Sequence, residues 1–120
     1  MCANFEAIRK NRAFLLDLPE PDQLEFPEDI FPNFPSPLIF SNDGKIEWRS
    51  VNFGMIPKWA KEKSFGKYTY NARTETVAEK PSFREAWHKS QFGLIHFETI
   101  FEPQYINGKS HSNELFQEGI

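Results

Sequence analysis

Between residues 19 and 37 the chain carries six prolines, and no other stretch limits its fold so strongly. Each proline fixes φ at about −65° and removes a backbone donor, which excludes a regular helix or a central strand through most of the segment. Glu20, Asp22, Glu25, Glu28 and Asp29 lie among the prolines, while Phe26, Ile30, Phe31 and Phe34 offer apolar anchors. The segment therefore reads as an ordered surface loop.

The flanks of this loop carry more regular patterns. Phe5 and Ile8, followed by Phe14, Leu15, Leu16 and Leu18, suit a strand leading into a helix. Leu38 to Phe40 and Ile46 to Phe53 enclose Ser41-Asn42-Asp43-Gly44-Lys45, and Asp-Gly between alternating runs predicts a hairpin. Pro57 ends the second strand, and Lys61 to Lys67 reads as a polar loop. Pro81 suits a first helical position, and Phe83 and Trp87, four apart, share one face of a short helix. Phe92 to Phe97 and Thr99 to Ile106 are β-prone, with Asn107-Gly108 as a second turn. From His111 onward no period is visible. The expected fold is α+β: a curved, barrel-like, mostly antiparallel sheet with short helices around Ala7 to Leu16 and Ser82 to Trp87. Phe83, Trp87, Leu94 and Phe97 are expected to be buried, and Phe53, Trp59 and Trp87 to be core residues rather than stacking platforms.

At 120 residues one domain is expected. A net charge of −3 argues against holding DNA through a large basic face, so any nucleic-acid contact must be local. A single cysteine permits no intrachain disulfide, and no charged start with an apolar run opens the chain, which fits a reducing cytoplasm without membrane attachment. His88, His96 and His111 do not stand at metal-ligand spacing with other ligands, so no metal or cofactor is expected.

The longest motif is Asn71-Ala72-Arg73-Thr74-Glu75-Thr76-Val77-Ala78-Glu79-Lys80-Pro81-Ser82-Phe83-Arg84-Glu85-Ala86-Trp87. With Met1-Cys2 and Phe101-Glu102, it resembles the SOS response-associated peptidase (SRAP) family, over about residues 1 to 106. Members shield abasic sites in single-stranded DNA by bonding to them covalently through an N-terminal cysteine. The resemblance implies an SRAP-like domain over 1–120, apparently truncated at its C-terminal side. It also implies a role in the DNA damage response at the nucleoid, and single-stranded DNA with abasic sites as partner. The family name records a peptidase assignment, which implies self-processing that exposes Cys2.

The residues can be read for that chemistry. Removal of Met1 would leave an α-amine and a thiol on Cys2, with ordinary pKa values of about 8 and 8.5, so some amine is neutral near neutral pH. The amine can attack an aldehyde, and the thiol can close a thiazolidine ring intramolecularly. The resemblance implies a catalytic Glu102 that passes a proton, an Asn71 that orients amine and sugar through its amide, and Arg73 and Arg84 near DNA phosphates. Residue-level alternatives stand beside these: Cys2 as a small terminal residue, Glu102 as a strand-edge carboxylate, Asn71 as a turn or N-cap residue, and Arg73 or Arg84 paired with Glu75 or Glu85.

Departures from the family pattern are also visible. The family's Cys-Gly-Arg start is Cys2-Ala3-Asn4, its Gly-Phe-Tyr-Glu-Trp setting has Thr99, Ile100 and Pro103 here, and Phe53 stands where Trp is usual. The family's downstream active-site histidine has no counterpart among the residues present. An incomplete sheet would leave unpaired edges, and association with a second copy is one expectation. Two other readings remain: a non-catalytic nucleic-acid or protein-binding remnant, and an N-terminal-nucleophile hydrolase using Cys2, which lacks a matched imidazole to activate it.

Overall fold

The computed structural model describes residues 3–106 and 109–117, with side chains as far as Glu102. Strand β1 (Asn4–Ala7) alternates half-buried Asn4 and Glu6 with buried Phe5 and Ala7, the two-residue period of a sheet with one covered face. It lies in the order β2-β1-β5-β6, where β2 is Asp29–Ile30, β5 is Phe97–Ile106 and β6 is Lys109–Gln117. All three pairings are antiparallel. The register sets Phe5 opposite both Ile30 and Ile100, so apolar side chains of three strands meet on one face. Phe5, Ala7 and Ile30 form the buried cluster, with Phe26, Phe53, Ile95, Phe97 and Ile100 packed against it. Burial of each large apolar side chain contributes about 1.5–3 kcal/mol.

The predicted hairpin is present as β3 (Pro35–Asn42) and β4 (Lys45–Asn52). Asp43 and Gly44 both have positive φ, 50° and 82°, the pair required by the tight turn whose twist matches the strands. Strand β3 starts earlier than expected, inside the proline-rich stretch. Ile39 exchanges both backbone hydrogen bonds with Leu94, each at 2.8 Å, on the side away from β4. Pro35 and Pro37 share the parity of Ile39, so their missing donors fall on that outer side and the hairpin ladder loses nothing.

The rest of the proline-rich stretch is an ordered loop held at several points. Trp48 donates its indole N–H to the Pro19 carbonyl at 2.9 Å, Phe26 packs on the core, and Ile30 is fully buried. Phe31 and Phe34 depart from expectation. They pack edge-to-face on each other at 5.6 Å but remain 45% and 40% exposed.

Among the described residues helical structure is short: 3-10 turns at Lys10–Leu16 and Lys63–Tyr68, and one α-helix, α1, at Arg84–His88. The first turn is tied to β5 by Glu98, which is 3% exposed, bonds Arg12 at 3.3 Å and accepts the Arg9 backbone N–H at 3.2 Å. Among the described residues the strands form two sheets rather than a closed barrel. Asn107-Gly108 lies outside the described residues, although Ile106 and Lys109 pair on either side of it. The segment from Lys109 to Gln117, without visible period in the sequence, is a strand because β5 gives it a partner.

Replacing Glu98 should cost less than breaking a fully buried pair, because the Arg12 side chain is 32% exposed. Glu98→Ala is expected to lower unfolding free energy by about 2–3 kcal/mol in a urea titration, with the slope unchanged.

Candidate nucleic-acid site

The site residues proposed from sequence sit on three segments. Cys2 lies outside the described residues; its neighbour Ala3 donates its N–H to the Phe101 carbonyl at 3.0 Å. Glu102 follows Phe101 in β5 and is half-buried. Asn71 is also half-buried and follows Tyr70. The Tyr70 ring meets Phe53 at 5.6 Å, and Phe53 meets Phe5 at 5.1 Å, both edge to face. Phe5 stands opposite Ile100, so two ring contacts tie the Asn71 segment to the strand that follows Ala3 and the strand that carries Glu102.

Segment 69–71 is positioned by a knot of polar bonds and two glycines. Buried Thr69 donates its hydroxyl to the Met55 carbonyl at 2.5 Å, and its own carbonyl accepts the Met55 N–H at 3.0 Å. Asn52 donates to Asn33 at 2.9 Å and to the Gly54 carbonyl at 2.8 Å, and Asn33 donates to the Lys63 carbonyl at 3.1 Å. Gly54, at φ 138°, passes so close to Gly66 that a Cβ would run into its carbonyl oxygen.

The long motif continues as successive turns over Thr74 to Glu79. The Arg73 carbonyl accepts from Thr76 and Val77, and the Thr76 carbonyl accepts from Glu79 and Lys80. Buried Val77 anchors these turns. Arg73 and Arg84 are exposed and, among the described residues, in no ion pair, so the pairing with Glu75 or Glu85 is not made. Glu85 instead bonds Lys89 at 2.7 Å. That hydrogen bond and the charges of Lys89 and Lys58 hold the Glu85 carboxyl below its ordinary range. The resulting stabilisation is present above the ordinary carboxylate pKa and lost as pH falls through the lowered value. On an exposed pair it is small.

The motif forms one wall of an open groove of about 710 Å³, whose lining also includes Val51 to Ile56 and Gln91 to Gly93. Phe83 is half-buried there, but Trp87 is 40% exposed and packs on Phe92, itself 58% exposed. Leu94, expected inside, is 65% exposed, because only its backbone is held by Ile39. Trp59 is likewise not a core residue: it is 56% exposed. The sequence reading missed the exposed aromatics of residues 57–68. The alternation of lysine with aromatic residues there was the available signal. His88 makes a surface contact with the Ala78 carbonyl at 3.2 Å.

A small α+β chain with two antiparallel sheets, its N-terminal strand inside the larger one, and a motif wall flanked by exposed arginines is the class defined so far. Comparison with known proteins narrows it. The description of the SOS response associated peptidase (SRAP) family matches residues 1–116, and the chain belongs to that family. Abasic site processing protein YoaM of Bacillus subtilis is 49% identical over 67 residues, 56% of this chain and 27% of that protein. Abasic site processing protein YoqW of the same organism is 50% identical over 42 residues, 35% of this chain and 16% of that protein. A crystal structure of a Bordetella bronchiseptica protein superposes with a TM-score of 0.76 at 27% identity, covering 94% of this chain. The chain spans 56% of that structure. No helix among the described residues is long and apolar enough to cross a membrane.

Two glycine substitutions should separate the knot from the hairpin turn. Gly54→Ala is expected to lower stability by roughly 1–3 kcal/mol or more, because it adds strain at positive φ to a backbone collision. Gly44→Asn, in open space and with a residue that tolerates positive φ, should change the melting midpoint little.

Proposed function

We propose that this chain captures abasic sites in single-stranded DNA by forming a thiazolidine through Cys2 after Met1 is removed. The α-amine adds to the aldehyde of the opened sugar and water leaves, giving an imine. The thiol sulfur then bonds to the imine carbon and its proton passes to nitrogen, so the net change is loss of one water. Glu102 would accept and return protons during ring opening and imine formation, and Asn71 would orient amine and sugar. Arg73 and Arg84, exposed and without ion-pair partners among the described residues, would take phosphate oxygens.

The observation that supports this reading most is the register at the start of β1. Ala3 donates to the Phe101 carbonyl, so the chain neighbours of the cysteine and of the glutamate are hydrogen-bonded to each other. The Phe5, Phe53 and Tyr70 contacts bring the neighbour of Asn71 to the same strands. The names of the Bacillus relatives point the same way.

Intact-mass measurement tests it. Met1-processed protein incubated for hours at low salt with an abasic oligonucleotide should gain the mass of the strand less one water, and the adduct should survive heating. Cys2→Ser should give no heat-stable adduct. Glu102→Gln should slow formation on the order of 10²-fold or more, and Asn71→Ala about tenfold, the worth of one good hydrogen bond. A Met1-processed chain that gains no mass while a longer relative reacts under the same conditions would replace capture with non-catalytic binding.

A further inference from the structure

Strand β4 has β3 on one side, and among the described residues no strand pairs with its other edge. The exchange between Ile39 and Leu94 fixes which of its backbone groups face outward. Ile39 turns its N–H and C=O away from β4, so Trp48 opposite it turns its own away from β3, and by the alternation of the ladder Ile46 and Ser50 do the same. Among the described residues the N–H and C=O of these three residues have no backbone partner. Ile46 is 55% exposed and Ser50 is also exposed, so the edge is open to solvent. An edge of 8 residues without proline is one that soluble proteins ordinarily cover or pair.

The charges along this edge select its occupant. Glu47 and Arg49 lie on one face of β4, and neither makes an ion pair among the described residues. The Arg49 guanidinium sits over the Phe40 ring, 4.0 Å from its centroid, which braces it on the β3 side and leaves its charge unmet. A second copy of β4, antiparallel about a two-fold axis at Trp48, meets both the backbone and the charges. Trp48 then faces Trp48 of the second copy and Ile46 faces its Ser50, each pair exchanging both backbone bonds. Between them Glu47 stands opposite Arg49 twice, in the pairs whose side chains come closest. Other registers that join outward groups fit worse. A centre at Glu47 or Arg49 sets like charges opposite each other, a centre at Ser50 separates Glu47 from Arg49, and a centre at Ile46 draws the turn residue Gly44, at φ 82°, into the ladder.

We propose that two copies of this chain associate by pairing their β4 strands about Trp48, so that the two hairpins become one sheet in the order β3-β4-β4-β3. The contact is isologous and uses up the free β4 edge of each copy, so assembly through it closes at two. On the face opposite Glu47 and Arg49, the two Trp48 indoles stand side by side, each fixed by its bond to the Pro19 carbonyl, with the exposed Ile46 diagonal to them. None of Cys2, Asn71, Arg73, Arg84 and Glu102 takes part, so the pairing does not rest on the capture reading.

A ladder this short lies at the small end of specific interfaces, so the test follows sedimentation over a concentration series up to the millimolar range. Monomer should pass to dimer and to nothing larger. Over the same series, amide exchange measured by NMR should slow at Ile46, Trp48 and Ser50 and stay constant at Glu47 and Arg49, whose N–H groups already face β3. Glu47→Arg and Arg49→Glu should each weaken association about tenfold or more, because like charges replace opposite ones in both close pairs. An equimolar mixture of the two variants should recover the dimer, since every arginine then faces a glutamate. Ser50→Pro removes an outward donor and no bond to β3, and should abolish the dimer with the far-ultraviolet circular-dichroism spectrum kept. A chain that stays monomeric throughout overturns the inference, as does a dimer indifferent to Ser50→Pro and to both charge variants. A mixture no better associated than its components overturns it too, and so does association abolished by Leu94→Asp on the exposed apolar side of β3 while amide exchange at β4 stays constant. Melting midpoints near that of the parent establish that the charge variants fold, and the exchange measurement decides without any variant if Ser50→Pro does not. Capture is scored by mass, so either proposal can fail while the other stands.

Discussion

The edge-to-face contacts from Phe5 through Phe53 to Tyr70 are the constraint on which the rest of this small structure depends. Phe5 belongs to the strand that follows Cys2, Phe53 to the end of the β3–β4 hairpin, and Tyr70 to the segment that delivers Asn71. Beside these rings, Ile39 of β3 is bridged to Leu94, in the segment that leads into β5. Phe53 is therefore the point where hairpin, core and motif are joined. Aromatic pairs add about 0.5–1.5 kcal/mol beyond burial and prefer this tilted geometry. They fix orientation as well as distance.

Because the ring contacts set where the hairpin ends, the backbone beyond Phe53 has little room. Gly54 and Gly66 touch where no side chain fits, and Asn33 and Asn52 satisfy the polar groups around them. Such a crossing is stable only when every neighbour agrees. The loop residue Asn33, itself at φ 72°, shows how far the proline-rich stretch takes part.

Much of this was legible in the sequence. Asp43-Gly44 marks the hairpin because few residue pairs accept two positive φ angles in succession, and the alternation in β1 follows from one covered face. What was not legible depends on partners distant in the chain. Pro35 and Pro37 look incompatible with a strand until the side away from β4 is known to carry their missing donors. Strand β6 has no pattern of its own and exists through β5. Trp59, Trp87 and Leu94 are apolar residues that local spacing assigns to a core, yet the elements beside them leave them open. Of the candidate site, the motif residues could be named from sequence, and Ala3 and Phe101 show how backbone pairing links two ends that spacing alone cannot relate. The lysine and aromatic interleaving of residues 57–68 was readable but looked like an ordinary polar loop without its exposures.

Strand β1 lies between β2 and β5, and its inner partner spans Phe97 to Phe101. Its contacts therefore close nearly the whole chain, the kind of high contact order that makes pairing slow. The β3–β4 hairpin can form from neighbours alone, but β1 has no complete seat until Phe101 has left the ribosome. During synthesis the segment after Cys2 is consequently made well before the strand that pairs with it. Any chemistry that needs β1 paired with β5 is thereby delayed until the chain has been made as far as Phe101.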